Sequence, residues 1–172
     1  MDLLVQAATT WKDLTSFHYS LTYGLKKQLH TIDLSFSPEN FSHPAGFQYM
    51  KDIAFPNYSA KKLMDKIIDG KIKIADVQKS CNYEEMVLPM LLALSSLKES
   101  LSNDFTLYTY NARQYPFYTR IIADYLIQSS NETSSFVFLV QNGGEESPDS
   151  YHCCSIFEKG INDFSMNQKP LK

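Results

Sequence analysis

The chain has 172 residues, of which 44% are hydrophobic and 20% charged, with 11 Tyr and 11 Phe. That is enough length and apolar surface for one self-supporting domain over residues 1–172, and it excludes a disordered chain. A formal net charge of −3 argues against a protein that coats nucleic acid non-specifically, which needs a basic surface to displace counterions.

Leu3, Leu4, Ala7, Ala8, Trp11 and Leu14 recur at helical spacing and predict an amphipathic first helix. Phe17, Tyr19, Leu21 and Tyr23 then alternate with His18, Ser20 and Thr22, which is the period of a strand. Gly24 to Lys27 is expected to turn the chain into a returning strand, where Ile32, Leu34 and Phe36 alternate with Thr31, Asp33 and Ser35. Ser37 and Pro38 open a short helix that Pro44 interrupts near His43. A firmer helix runs from the cap Ser59 through Leu63, Met64, Ile67 and Ile68 to Gly70, with Lys61, Lys62 and Lys66 on its solvent side. The longest helical pattern starts at Asn82 and Glu85 and keeps its period from Val87 to Leu101, with Pro89 tolerated near its start.

From Asn103 onward the period is that of strands: "DFTLYTY", "TRIIADYLIQ", "SFVFLVQ" and "SYHCCSIF". The turn-rich loop Asn142 to Ser150 joins the last two, and the polar tail after Phe157 is expected to be partly loose. The fold class read from this order is α+β: an early β-hairpin, a central helical block, and a C-terminal antiparallel sheet packed on helices. Three cysteines, with Cys153 beside Cys154, suit a reducing compartment. No apolar leader or membrane-length stretch is present, so a cytoplasmic protein without membrane contact is expected.

The chain has no G-x-S-x-G, no Gly-rich phosphate loop and no H-E-x-x-H, and no His and Cys spacing resembles a zinc site. No metal and no cofactor are therefore expected. Of the four histidines, His18 and His30 fall on strands of one hairpin and read as structural or solvent-facing. His152 reads the same way, and on a regular strand it faces away from Ser155. His43 sits where the chain changes direction, near a helix start that offers free N–H groups to an anion, with Gly46 one turn on. An imidazole there can take and give protons near neutral pH.

"NFSHPAGFQYMKDI" resembles the F-x-H-x-x-G-x-x-x-x-x-D segment of a phage- and mobile-element-encoded family of the barnase, EndoU, colicin ribonuclease and RelE-like nuclease superfamily. "SAKKLMDKIIDGKI", "LYTYNARQYPFYTRIIADYLIQ" and "YHCCSIF" follow in the family's order, so the resemblance spans about Leu3 to Gln168. It implies a small metal-independent ribonuclease fold whose catalytic groups gather on the open face of the sheet. By position it carries His43, Gly46 and Asp52 onto the helix motif, and Tyr110, Tyr125 and Ser155 onto the late strands. The catalytic residues it implies are His43 as acid or base, Ser155 as hydrogen-bond donor to a phosphate oxygen, and Tyr110. Lys51, Arg120 and Tyr125 would hold substrate. The implied partners are RNA and an antidote protein. The alternative is a catalytically degenerate module that binds protein or nucleic acid through an aromatic-rich sheet, which fits the acidic balance and the absence of an obvious acid/base pair in the sequence.

Overall fold

The computed structural model describes residues 1–130, 135–144, 147–160 and 162–172. Helix α1 (Leu3–Leu14) starts where the Asp2 carboxylate accepts from the Val5 N–H at 2.8 Å, satisfying a donor that the first turn leaves free. Leu4, Ala7, Ala8, Trp11 and Leu14 are fully buried, so the apolar stripe finds its partner surface. Trp11 places its indole edge on Phe36 and donates Nε1–H to the Ser37 carbonyl at 2.9 Å. Its polar end is thereby satisfied inside the core.

The hairpin strands β1 (His18–Leu25) and β2 (Gln28–Ser35) are joined by Lys26 and Lys27, both with positive φ. This is the tight turn whose twist suits antiparallel strands. The expected turn at Gly24 thus narrows to the two lysines. Gly24 stays in the strand and pairs its N–H with the Lys172 carbonyl, so closely that an added Cβ would lie 3.4 Å from that oxygen.

The remaining strands are β3 (Phe105–Thr109), β4 (Tyr125–Ser129), β5 (Ser135–Gln141), β6 (Ser150–Glu158) and β7 (Lys169–Leu171). All belong to one seven-stranded sheet in the order β1-β2-β6-β5-β4-β3-β7. The chain is α+β, as read from the sequence. The early hairpin, however, is part of the same sheet as the late strands, and its β2 runs parallel to β6, so the sheet is mixed where an antiparallel one was expected. The tail differs from expectation as well, since β7 pairs with β3. Within the loop and tail discussed above, Glu145, Glu146 and Ile161 lie outside the described residues.

The helical block contains α2 (Ala60–Ile68), α3 (Ile74–Val77), α4 (Leu88–Ser95) and α5 (Leu97–Ser102). The long helix expected from Asn82 is divided. A π-helical turn spans Tyr83–Val87, and the chain breaks again at Ser96. Pro89 lacks an N–H and its ring crowds the preceding turn, so the carbonyls before it are served by a wider turn. The Val87 N–H accordingly reaches the Asn82 carbonyl at 3.3 Å. Asn82 is not a side-chain cap, and donates its Nδ2–H to the Tyr49 carbonyl at 2.8 Å.

One face of the sheet, carrying Ile32, Leu34, Ile127, Val137, Leu139, Cys153 and Ile156, buries itself against the helices. The other face is covered over β3, β4, β5 and the C-terminal half of β6, where Tyr110, Tyr115 and Phe164 from crossing segments pack on Leu126, Phe136, Phe138 and Phe157. "TRIIADYLIQ" is apolar on both sides for this reason. Only Tyr125–Ser129 is strand, while Ile121 and Ala123 belong to the covering segment. Among the described residues no helix is long and apolar enough to cross a membrane.

Candidate active site

The helix-free face is open over β1, β2 and the start of β6, Ser150–His152. Because Tyr19, Leu21, Ile32 and Leu34 pack inward, strand alternation turns His18, Ser20, Thr22, Thr31, Asp33 and Ser35 outward. All are exposed except Ser35, which is half-buried. The Ser20 hydroxyl donates to Asp33 Oδ1 at 2.6 Å, and the Thr22 and Thr31 hydroxyls lie 2.9 Å apart.

Pairing across three strands sets these groups in rows. His18 stands opposite Ser35, which stands opposite His152; Ser20 stands opposite Asp33, which stands opposite Ser150. Neighbouring strands lie about 4.8 Å apart, which separates the His18 and His152 backbones by roughly 10 Å with Ser35 between them.

His152 is held from its far side. Asn142 Nδ2 donates to the Ser150 hydroxyl at 2.6 Å, and Asn142 Oδ1 lies 2.5 Å from His152 Nδ1. With the amide oxygen facing Nδ1, that nitrogen carries the proton and Nε2 keeps a free lone pair. Partial burial lowers the His152 pKa below its ordinary value, so the neutral ring, a base, prevails at pH 7.

The expectation that His152 faces away from Ser155 fails at a β-bulge. Leu139 pairs with Cys153 but Phe138 pairs with Ser155, leaving Cys154 as the extra residue. The slip brings Ser155 onto the same face as His152 and Phe138. Cys154 beside it is no nucleophile, since burial pushes its thiol up to about 11.

The residues singled out in the sequence divide between the two faces. Tyr110 and the buried Ser155 flank Phe138 on the helix-free face; the Tyr110 ring meets Phe138 edge-on at 5.0 Å, and its buried hydroxyl has no hydrogen-bond partner among the described residues. Burial raises the Tyr110 pKa. Arg120 is exposed on the covering segment and donates Nε–H to the Tyr118 hydroxyl at 3.3 Å. That segment reaches the bulge, with Cys154 Sγ 3.9 Å from the Ile122 carbonyl.

Tyr125 lies on the helical side, bonded to the Tyr23 hydroxyl at 2.8 Å and packed edge-on against Tyr151, with its pKa raised by burial. His43 is exposed on the helical block, beside a groove of about 390 Å³. Its motif partners are structural. Gly46, at φ +80, lets the chain pass Val87 where a Cβ would meet its Cα at 3.4 Å. Asp52 accepts from the Ser80 hydroxyl at 2.7 Å and the Cys81 N–H at 2.8 Å, which lowers its pKa. Lys51, next to it, is exposed.

His18, Ser35 and Asn142 were missed as a site, and His152 was set aside. Alternation alone put His18 and Ser35 on one face, but the parallel pairing of β2 with β6 that adds His152 leaves no local signal. Among the described residues no three His, Cys, Asp or Glu side chains gather as metal ligands.

The model of one protein family, phage-Barnase-EndoU-ColicinE5/D-RelE like nuclease4, matches residues 3–171. The chain belongs to this family. Membership makes it a phage-associated nuclease-like domain, and the match takes in every strand of the sheet, including β7 at the end of the chain. No curated protein and no solved structure matches this nuclease-like chain.

Proposed function

We propose that the protein is an endoribonuclease that cleaves RNA through its own 2′-hydroxyl, without a metal, on the open half of the helix-free sheet face. His152 is the general base and His18 the general acid. His152 Nε2 takes the 2′-hydroxyl proton, the freed oxygen attacks the adjacent phosphorus, and the 5′-oxygen leaves with a proton from the His18 imidazolium. The products are a 2′,3′-cyclic phosphate and a 5′-hydroxyl end. The Ser35 hydroxyl, between the two rings, donates to a non-bridging phosphate oxygen. Tyr110 and Ser155 are buried under the covering segment and brace the strands beside the bulge.

The observation that carries this reading is the Ser150–Asn142–His152 chain, which orients the ring and, with the amide oxygen on Nδ1, leaves Nε2 free to act as the base. The membership in a nuclease-like family supports the same chemistry. A second reading keeps His43 as the acid or base with Lys51 beside it, supported by the exposure of that ring and by Gln48 Oε1 in the same groove, which is buried without a partner.

Purified protein incubated with total RNA in excess chelator should give discrete fragments ending in 2′,3′-cyclic phosphate, and His152→Ala should abolish them while His43→Ala does not. The reverse pattern moves the chemistry to the helical block. No cleavage by the unmodified protein, with RNA still bound, leaves a non-catalytic binding module.

A further inference from the structure

A second polar concavity lies on the helical block, next to the His43 groove, with which it shares Ile53, Phe55, Pro56 and Tyr58. Its origin is local. Helix α2 buries Leu63, Met64 and Ile67 and so turns Lys62 and Lys66 outward. The helix then stops at Gly70, with φ +71, where the Lys71 N–H bonds back to the Lys66 carbonyl at 2.9 Å and the Gly70 N–H to Ile67 at 3.0 Å. This closing turn needs a left-handed residue and folds the next residue back over the last helical turn. Lys71 is thereby set beside Lys66.

The segment Ile53–Tyr58 supplies the facing wall, and a cavity of about 290 Å³ opens between them, lined by Phe55, Tyr58, Lys66, Lys71, Asp76 and Lys79. That size is near the lower end of the range for small-molecule sites. Its charges do not cancel. Asp76 is committed to the Lys73 N–H at 3.0 Å and to Lys79 Nζ at 3.1 Å, and Lys71 stands 4.0 Å from Asp69. Among the described residues no carboxylate lies within ion-pair distance of Lys66. Instead the neighbouring Lys71 ammonium lowers the Lys66 pKa. The lining thus carries three ammonium groups and one carboxylate, with Asp69 outside it beside Lys71, and this local positive excess in a chain of negative overall charge suits a phosphate dianion. The aromatic wall adds an apolar surface. Phe55 is half-buried and braced edge-on by Phe47 at 5.5 Å, and Tyr58 is braced by Lys62 Nζ, 5.0 Å from its ring centroid.

We propose that this pocket binds a nucleoside 5′-phosphate, with the phosphate between Lys66 and Lys71 and the base against Phe55 and Tyr58. The site is separate from the sheet face, so it stands whether or not His152 acts as a base. A free mononucleotide and the 5′-phosphorylated end of an RNA strand share the chemistry.

Calorimetric titration of the full chain tests it, using inorganic phosphate, 5′-AMP, and DNA tetranucleotides with and without a 5′-phosphate, which lack the 2′-hydroxyl needed for cleavage. The expected result is that 5′-AMP binds at least about fivefold more tightly than phosphate, the lower end of what stacking of one base contributes. Lys66→Gln with Lys71→Gln should weaken it at least tenfold, Phe55→Ala should bring it to the level of phosphate, and His152→Ala should leave it unchanged. Tighter binding of the phosphorylated tetranucleotide than of 5′-AMP supports the site and names a strand end as the source; the opposite order supports it and names a free nucleotide. The proposal is overturned if the double lysine variant binds as the unmodified chain does, if phosphate matches 5′-AMP, or if the tetranucleotide binds equally without its phosphate. The lysines are on the surface, and retention of the melting temperature in both variants separates lost binding from lost fold.

Discussion

The helix-free face of the sheet is two surfaces in one. Over β3, β4 and β5 it is a second core, with Phe136 and Phe138 fully buried and Phe164 in contact with Tyr115, Phe136, Phe138 and Phe157 at ring distances of 5.2–5.8 Å. Over β1, β2 and the start of β6, Ser150–His152, the same face is wet and lined with imidazoles, hydroxyls and a carboxylate. The strands are continuous, so the difference comes from what crosses them. The covered half fixes the frame and the open half is free to carry polar groups that a core would not tolerate. A site built on strands braced from behind is also held more rigidly than one on a loop.

The comparison breaks most sharply at His152. Its replacement by Ala should lower RNA cleavage about 10²- to 10⁴-fold, the range for loss of a positioned acid or base, with little change in melting temperature. In the unmodified protein, cleavage should fall as the pH drops through a midpoint below about 6.5, the ordinary imidazole value, because burial disfavours the charged ring. The sign for stability is the same. A histidine whose folded pKa is depressed contributes fully above its unfolded pKa, and that contribution is lost as the pH falls through the folded value. A midpoint above 6.5, read from initial rates across pH, would contradict the assignment.

Phe164→Ala probes the covered half and should act on stability instead. Loss of a buried Phe costs about 3–5 kcal/mol, which for a chain of this length lowers the melting temperature by about 6–20 °C. Cleavage measured well below that transition should persist. Asn142→Ala should fall between the two in kind. A hydrogen bond to a charged ring contributes about 1.5–3 kcal/mol, so the turnover number should drop about 10- to 100-fold with the Michaelis constant little changed.

The smallest effect is expected at Gly46→Ala on the helical block. The left-handed conformation costs a side chain about 1–2 kcal/mol, and the new Cβ would press on Val87. The melting temperature should fall by about 2–8 °C while specific activity stays constant. A collapse of activity there would favour the His43 reading over the sheet face.

The elements were legible where a local period carried them. The stripe of α1, the alternation of the hairpin, the Ser59 cap and Gly70 stop of α2, and β5 all follow from side-chain spacing within a few residues. The divided helix after Asn82 was half legible, since Pro89 is visible but the π-turn that accommodates it depends on Tyr49 claiming the Asn82 side chain. The segment 119–123 misled because a loop packed on a sheet must be as apolar as a strand.

By itself the sequence determined the fold class and which residues of the hairpin share a face, because these depend on steric periods that act along the chain, and its motif segments, by their order and spacing, carried the family resemblance. Only the tertiary structure decided that β2 lies beside β6, that a bulge turns Ser155 to the side of His152, and that Asn142 holds the ring. The first depends on pairing between segments more than 100 residues apart, the second on one unpaired residue in a strand, and the third on how the β5–β6 connection folds back over ten residues; no neighbouring side chain gives a sign of them. His43 and Ser155 are parted in the same way: His43 stands on the helical block, while Ser155 turns with Phe138 to the helix-free face.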